Sequence, residues 1–329
     1  NDSNRKNTME NNISKFFYLT GLSIMIVWIL FIGKSILLPI ILGILTVYIL
    51  LTASAAIARW PMMNYFPKFI HRLIVLLIFI FIVALISLMI SNNIEHTLLQ
   101  LPIYQTNLQI VFDKLTDSFG LNNLPSLNSI IENWWSNVNL QAFALRSLGS
   151  ISSVGSVLFM AALYAGFLFT ETNNFKGKIS KALGNDASQA LEILSKVNNK
   201  IGVYLTIKTI INIILAFISF LVMWALGIDS AVFWAVMIGF LNYIPYVGSA
   251  IGVGFPVGLT LAQFGSLQWA FLALVLLMAV QTYVGNILEP RMIGKSVNLS
   301  SFVVLLALVF WTTIWGLPGA ILSIPLTSV

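Results

Sequence analysis

A long stretch without charge constrains this chain more than any other feature. Residues 230–288 contain no Asp, Glu, Lys or Arg, so they suit lipid better than water. Inside this stretch, the segment FLNYIPYVGSAIG at 240–252 places Asn242, Pro245 and Gly248 close together. Pro245 has no backbone N–H and its ring clashes with the preceding turn, so a helix must be interrupted there. Because backbone groups freed in this way cannot face hydrocarbon, the break must be buried in protein or line a wet cavity.

The composition is that of a membrane protein that crosses the bilayer several times. Of the 329 residues, 58% are hydrophobic and 9% are charged, whereas soluble domains carry about a quarter charged residues. The absence of cysteine excludes disulfides, iron–sulfur clusters and thiolate metal sites. No Walker loop, nucleophile elbow or zinc-protease motif occurs, so neither an enzyme nor a cofactor is expected. We attribute the net charge of +6 to basic cytoplasmic loops and expect no nucleic-acid partner.

Apolar runs long enough to cross a bilayer predict an all-α polytopic membrane protein with about six to eight transmembrane helices. Gly33 and Lys34 lie between the first two runs and predict a tight helical hairpin there. The last apolar run stops at Val329, and we expect the natural protein to extend beyond both ends of this sequence. The apolar runs cover roughly 16–33, 35–57, 73–91, 151–170, 203–226, 266–288 and 298–329.

The distribution of charge divides the chain and orients it. The N-terminus, the loop after the second span and segment 171–200 carry more Lys and Arg than acidic residues, whereas segment 92–150 carries more acidic than basic residues. Under the positive-inside rule, the N-terminus is cytoplasmic and 92–150 is extracytoplasmic. We therefore divide the chain into N-terminal transmembrane helices at 1–91, the helical excursion at 92–150 and a C-terminal transport region at 151–329. Apolar positions recur every three or four residues within 108–119, which predicts a surface helix that either caps the bundle or collects substrate.

The broken segment can form either of two structures. Within 230–264, apolar runs of about twelve and sixteen residues flank the break, and each is too short for a full crossing. A re-entrant hairpin would enter and leave on one side, whereas a broken spanning helix would cross. The later loop carries Glu289, Arg291 and Lys295, and its net positive charge favours the hairpin. The terminal run is broken at 315–319 (WGLPG) and predicts a second hairpin or a pair of spans.

Lys208 is the most informative charged residue because it lies inside the fifth predicted span, where lipid makes a charge costly. Tyr204, Asn212 and Ser219 share its helix face. Lys208 therefore either takes part in transport, snorkels to the cytoplasmic surface, or forms a structural ion pair for which Glu289 is the obvious acid.

A second polar face is predicted where the sixth span ends. Gln281, Gly285 and Glu289 follow one another at four-residue spacing, which puts them on one side of a regular helix. Glu289 and the neighbouring Arg291 either belong to the transport path or are solvated at the edge of a loop. Asp229 begins the uncharged stretch and is expected to cap the N-terminus of a helix.

Three motifs together resemble the bacterial autoinducer-2 exporter family of permeases. They are FLNYIPYVGS at 240–249, NILEPRMIGKSVNLSS at 286–301 and WGLPGAILSIPLT at 315–327, in the family's order and spacing. The resemblance implies a multi-pass protein of the bacterial inner membrane that exports a small polar solute, such as the sugar-like quorum-sensing molecule autoinducer-2. Other members look like sodium(lithium)/proton antiporters, which is the alternative function. The resemblance also implies a homo-oligomer, with a pentamer expected.

The resemblance carries the family's functional positions onto particular residues of this chain. The intramembrane Lys falls on Lys208, the Glu-Pro-Arg on 289–291, and the Asn-x-Ile-Pro on 242–245. Antiport needs a buried acid that titrates, and such acids are few. A non-transporting scaffold or receptor, the third hypothesis, would not need polar backbone breaks at mid-membrane. The candidate permeation path consists of Lys208, Asn212, Asn242, Tyr243, Pro245, Tyr246, Gly248, Glu289 and Arg291.

Overall fold

The computed structural model describes residues 2–58, 66–120, 163–164, 167, 177–178, 180–293 and 299–328. In these ranges the backbone is helical apart from short turns, and they contain no strand. Most of the predicted fourth span and the second half of the predicted excursion lie outside them. The helices are α1 (Asp2–Ile32), α2 (Lys34–Ile57), α3 (Lys68–Phe119), α4 (Ala187–Ala225), α5 (Ala231–Leu241), α6 (Val247–Phe264), α7 (Leu267–Tyr283), α8 (Glu289–Ile293), α9 (Ser301–Trp315) and α10 (Leu317–Thr327).

The bundle has an apolar core with a few buried polar side chains, and many large apolar side chains also lie on its surface. Phe16, Trp28, Ile213 and Phe271 are among the exposed apolar residues, a pattern that suits lipid and not water. Four helical segments are long and apolar enough to cross a membrane, and shorter apolar helices accompany them. The all-α polytopic membrane fold is therefore confirmed. The buried polar residues are Ser54, His71, Lys208, Asn212, Ser219, Thr260 and Ser323.

The prediction of a tight hairpin at Gly33 is wrong. Gly33 N donates to Ile29 O at 2.8 Å and Leu37 N donates to Gly33 O at 2.8 Å, so helical hydrogen bonds lie on both sides of the glycine. Trp315 Nε1 donates to Leu30 O at 3.1 Å and fixes the junction from another part of the chain. Because a reversal needs residues outside the helical conformation, the chain continues past Gly33 and does not turn back.

Helix α3 extends from the predicted third span into the excursion without a break. It has 52 residues and is therefore about 78 Å long. Gly120 ends it with a φ of 64°, the left-handed conformation common just after helices. The predicted apolar face is present at Val111, which is 5% exposed, but not at Phe119, which is 72% exposed. The described part of the excursion is thus the continuation of the helix that forms the third predicted span, and not a separate surface helix.

Helices α5 and α6 form an antiparallel hairpin. Gly252 of α6 lies against Ile238 of α5, and Asp229 N donates to Gln263 Oε1 at 2.8 Å at the opposite end from the break. Residues near the break in α5 therefore pack against residues near the break in α6, and residues far from it pack against residues far from it. Both arms return to the same end, whereas a broken spanning helix would have separated residues 229 and 263 by the thickness of the membrane.

The depth of the hairpin is measured along α4, which packs beside it. Asn242, at the turn of the hairpin, is hydrogen-bonded to Asn212. Asn212 lies 13 residues before Ala225, where α4 ends, which corresponds to about 20 Å of helix. The apolar part of α4 covers Ile201–Ala225, so the turn packs against the middle of that part. Helix α6 is by itself long enough to cross a membrane, and the return of both arms to one end is what distinguishes the hairpin from a broken spanning helix. This geometry is that of a re-entrant hairpin.

Helices α9 and α10 form a second hairpin. Gly316 has a φ of 67° and separates arms of 15 and 11 residues, which are too short to cross the bilayer separately. An added Cβ at Gly319 would overlap the carbonyl oxygen of Trp311, so only glycine permits this close approach of the arms. Ile244, at the turn of the first hairpin, packs against the second hairpin at Leu308 and Ala320. The two re-entrant elements therefore meet inside the bundle.

Candidate functional site

The turn of the first hairpin, residues 242–246, is named the hairpin tip. Tyr246 has a φ of 59°, which is rare for a residue other than glycine, and its side chain is exposed. A Cβ at Gly248 would overlap the carbonyl oxygen of Leu241, so glycine lets α6 start directly against the end of α5. Together with Pro245, these residues account for the break in the apolar stretch as a turn of fixed shape.

Polar side chains connect the hairpin tip to α4. Asn242 Nδ2 donates to Asn212 Oδ1 at 2.8 Å, and the hydroxyl groups of Tyr243 and Thr209 share a hydrogen bond of 2.7 Å. Gly239 allows the two helices to come this close, because a Cβ there would lie 2.9 Å from the carbonyl oxygen of Asn212. The sequence therefore places its tip amide and hydroxyl groups against one face of α4.

Lys208 and Glu289 form a buried ion pair on the next turn of α4. Lys208 Nζ lies 2.7 Å from Glu289 Oε1, and the two side chains are 7% and 23% exposed. Withdrawing the two charges from water costs several kcal/mol each, which their direct contact offsets. Since the ammonium group is held inside the bundle, the snorkelling interpretation of Lys208 is wrong. The ion pair, one of the three predicted alternatives, is present.

A π-turn at Val284–Leu288 directs Glu289 toward α4. Leu277 and Val284 are both 1% exposed and lie on the buried face of this helix. A regular α-helix would next bury residue 288 on that face. The π-turn contains one additional residue, so Glu289 reaches Lys208 of α4 while Leu288 still packs beside the core. The predicted regular face is accordingly wrong at Gly285, which is exposed.

Two buried amide groups have no hydrogen-bond partner among the described residues. They are Nδ2 of Asn212 and Nε2 of Gln281. A buried polar group without a partner costs about 1–3 kcal/mol, and native proteins rarely leave one unless it has a role. Asn212 lies between the hairpin tip and the turn of α4 that carries Lys208. Asn212 Nδ2 therefore lies at the junction of the tip and the ion pair without a well-formed hydrogen bond, and the Tyr243 hydroxyl is the polar group beside it.

The structure brings together five of the nine predicted site residues: Lys208, Asn212, Asn242, Tyr243 and Glu289.

Three further predicted residues, Pro245, Tyr246 and Gly248, shape the tip. Arg291 is exposed and is not joined to the cluster by any contact described here.

Sequence reasoning missed Thr209, the partner of Tyr243, although it follows Lys208 directly. The spacing rule selected one narrow face of α4, and Thr209 lies beside that face.

An apolar groove of about 460 Å³ lies on the surface of the first hairpin, away from the polar cluster. Trp234, Ile251, Phe255 and Leu259 line it together with small residues. The rings of Trp234 and Phe255 stack with their centroids 5.7 Å apart. Such a lining does not suit a polar solute, so the cluster at the hairpin tip is the stronger candidate for a functional site.

The fold and the site together define a class of protein. Paired re-entrant elements that meet at membrane depth, beside buried polar and charged groups, are typical of membrane transporters. The sequence profile of the AI-2E family of transporters matches residues 19–329, and the chain belongs to that family.

Relatives cover nearly the whole chain. The AI-2 transport protein TqsA of Escherichia coli is 24% identical over 315 residues, which are 96% of this chain and 90% of the relative. A candidate transport protein of Haemophilus influenzae is 28% identical over 327 residues, covering 97% and 92%. A candidate transport protein of Borreliella burgdorferi is 26% identical over 319 residues, covering 96% and 86%. The similarity therefore includes both hairpins and the helices that hold them.

Proposed function

We propose that this protein is a permease that exports a small polar solute, of the class that autoinducer-2 represents, through a site at the hairpin tip. The observation that carries the proposal is the buried Nδ2 of Asn212, a donor beside the tip that lacks a well-formed hydrogen bond. A solute rich in oxygen atoms can accept that hydrogen bond. The name of the relative TqsA, an AI-2 transport protein, supports this class of solute.

The surrounding groups give this site both polarity and charge. Asn242 and Tyr243 offer amide and hydroxyl groups that can exchange their present partners for a polyhydroxylated solute. The Lys208–Glu289 pair lies one turn of α4 away and sets the local charge. Because these groups lie at a break in the helix, backbone donors and acceptors near Pro245 are also within the site.

Transport by reconstituted protein tests the proposal directly. In liposomes, Asn212→Ala and Asn242→Ala are each expected to lower autoinducer-2 flux about fivefold or more, since one hydrogen bond contributes about 1 kcal/mol. Ser323→Ala is the matched control, because Ser323 is buried in the second hairpin and bonds within its own helix. The amount of each variant in the membrane is measured in parallel and should not change.

The same assay separates the competing functions. Flux that does not respond to a pH gradient agrees with uncoupled export. Sodium-driven proton movement that is lost in Glu289→Gln, without autoinducer-2 flux, would replace the proposal with antiport. If autoinducer-2 flux is normal in both asparagine variants, the permease function stands but the assignment of the site is wrong.

A further inference from the structure

The end of the first hairpin remote from the tip is bound to α3. This hairpin base comprises residues 227–229 and 262–265. Asn107 Nδ2 donates to Ala262 O at 3.0 Å and to Gln263 O at 2.7 Å. The last carbonyl groups of a helix have no partner within that helix. Asn107 therefore caps the C-terminus of α6 from a neighbouring helix, which ties the excursion to the base.

Side chains close the rest of the base. Gln263 Nε2 donates to Gly227 O at 2.8 Å, and Gln263 Oε1 accepts from Asp229 N at 2.8 Å. Tyr104 donates from its hydroxyl to Asp229 Oδ2 at 2.9 Å. Burial, with the Asp229 carboxylate adding to it, raises the pKa of Tyr104, so this hydroxyl keeps its proton at physiological pH. Three separate segments of the chain are thus linked at one end of the hairpin.

The hairpin tip is held by different contacts. Within the part of the chain that the structure describes, its side chains bond to α4 through Asn242 and Tyr243, and Ile244 packs against the second hairpin at Leu308 and Ala320. Tyr246 adopts a left-handed conformation that costs free energy for a residue with a side chain. The base is thus held by hydrogen bonds to α3 that cap α6, whereas the tip contains a strained residue and packs on elements that themselves belong to a hairpin or to the site.

We propose that Asn107 and Tyr104 are positioning residues for the permeation site: they fix the hairpin base to α3 so that the tip alone moves against α4 during transport. The excursion then acts as the support on which the hairpin bends, and not as a collector of substrate. This inference rests on the proposed function for its meaning in transport. The immobility of the base, however, is measurable without any solute.

Spin labels test the relative motion of the two ends, and the absence of native cysteine makes labelling selective. The base labels are placed at Ile103 of α3 and Phe264 of the hairpin base, and the tip labels at Ile213 of α4 and Val247 beside the tip, all exposed positions. We expect the distance between the base labels to have one narrow distribution that autoinducer-2 does not change. The distance between the tip labels should shift when autoinducer-2 is added. The proposal is overturned if the distance between the base labels shifts as much as that between the tip labels. It is also overturned if the distance between the tip labels stays unchanged while flux is normal.

A matched pair of variants tests the contribution of Asn107. Asn107→Ala is expected to broaden the distance distribution of the base labels and to lower flux about fivefold or more. The reason is that the side-chain amide, which donates to two carbonyl groups, is lost. Thr106→Ala is the control, since its hydroxyl bonds to Pro102 O in its own helix, and it should change neither quantity. Equal behaviour of the two variants contradicts the positioning role. If the unmodified protein moves no autoinducer-2, the proposed function fails, while the width of the base distribution still decides whether Asn107 fixes the base.

Discussion

The Lys208–Glu289 pair can stabilise the fold, serve the transport path, or do both. Lys208→Met leaves the Glu289 carboxylate unpaired in the bundle, where loss of one partner of a buried ion pair costs about 3–5 kcal/mol. The double variant Lys208→Met/Glu289→Leu removes both charges and is expected to recover most of that stability. If the charges belong to the proposed path, flux should remain low in the double variant. Thermal unfolding in detergent and liposome flux measure the two effects separately. Recovery of flux together with stability would show that the pair is only structural.

Site residues could be predicted from the sequence where a charged or polar side chain falls inside an apolar span. The sequence offered the Lys208–Glu289 pair as one of three alternatives, because a lysine inside a span is costly and few acids are available to pair with it. The π-turn that turns Glu289 toward Lys208 could not be predicted, since no residue type in Val284–Leu288 requires it. The π-turn is stabilised by tertiary packing and by the ion pair itself. The error at Gly285 follows directly from assuming a regular helix.

Close packing of helix on helix, made possible by glycine, determines the shape of the first hairpin. Gly248→Ala is expected to destabilise the protein by about 1–3 kcal/mol, because the new methyl group overlaps the Leu241 carbonyl and forces the arms apart. Gly254→Ala is the matched control in the same helix, where an added Cβ meets open space. The control should be neutral or slightly stabilising, since alanine favours helix over glycine. Midpoints of thermal unfolding compare the two, and equal midpoints would contradict the packing argument.

The helical elements differed in how far the sequence determined them. Pro102 and Pro256 lie inside helices without ending them, so proline alone does not locate a break. The tip was predictable because Pro245 stands together with Asn242 and Gly248 in an otherwise apolar stretch.

Gly33 is less informative, because a single glycine permits a continuous helix or a turn, and neighbouring contacts select between them. The helical path through Gly33 is accompanied by the Trp315–Leu30 hydrogen bond, which joins residues 285 positions apart in the sequence. Local patterns do not contain that information.

The orientation of the whole molecule remains a prediction from its charges. The basic residues that precede the α4 span predict a cytoplasmic location for that end, and the acidic excursion predicts the opposite side for the end of α3. If so, the hairpin base and its Asn107 cap face the outside, and both hairpin arms enter from there. The tip then approaches the cytoplasm, which would place the mobile end of the hairpin on the side from which an exporter receives its solute.

Two exposed serines measure this orientation with minimal change to the protein. Ser118 lies near the end of α3 and Ser195 lies in α4 before its apolar part, and the chain has no cysteine of its own. In intact cells whose outer barrier admits the reagent, a membrane-impermeant maleimide should label Ser118→Cys, whereas Ser195→Cys should react only after the inner membrane is opened. Both variants replace one hydroxyl by one thiol on the surface, so a difference in labelling reports access and not folding. Labelling of Ser195→Cys alone in intact cells would invert the molecule, and the hairpin base would then face the cytoplasm.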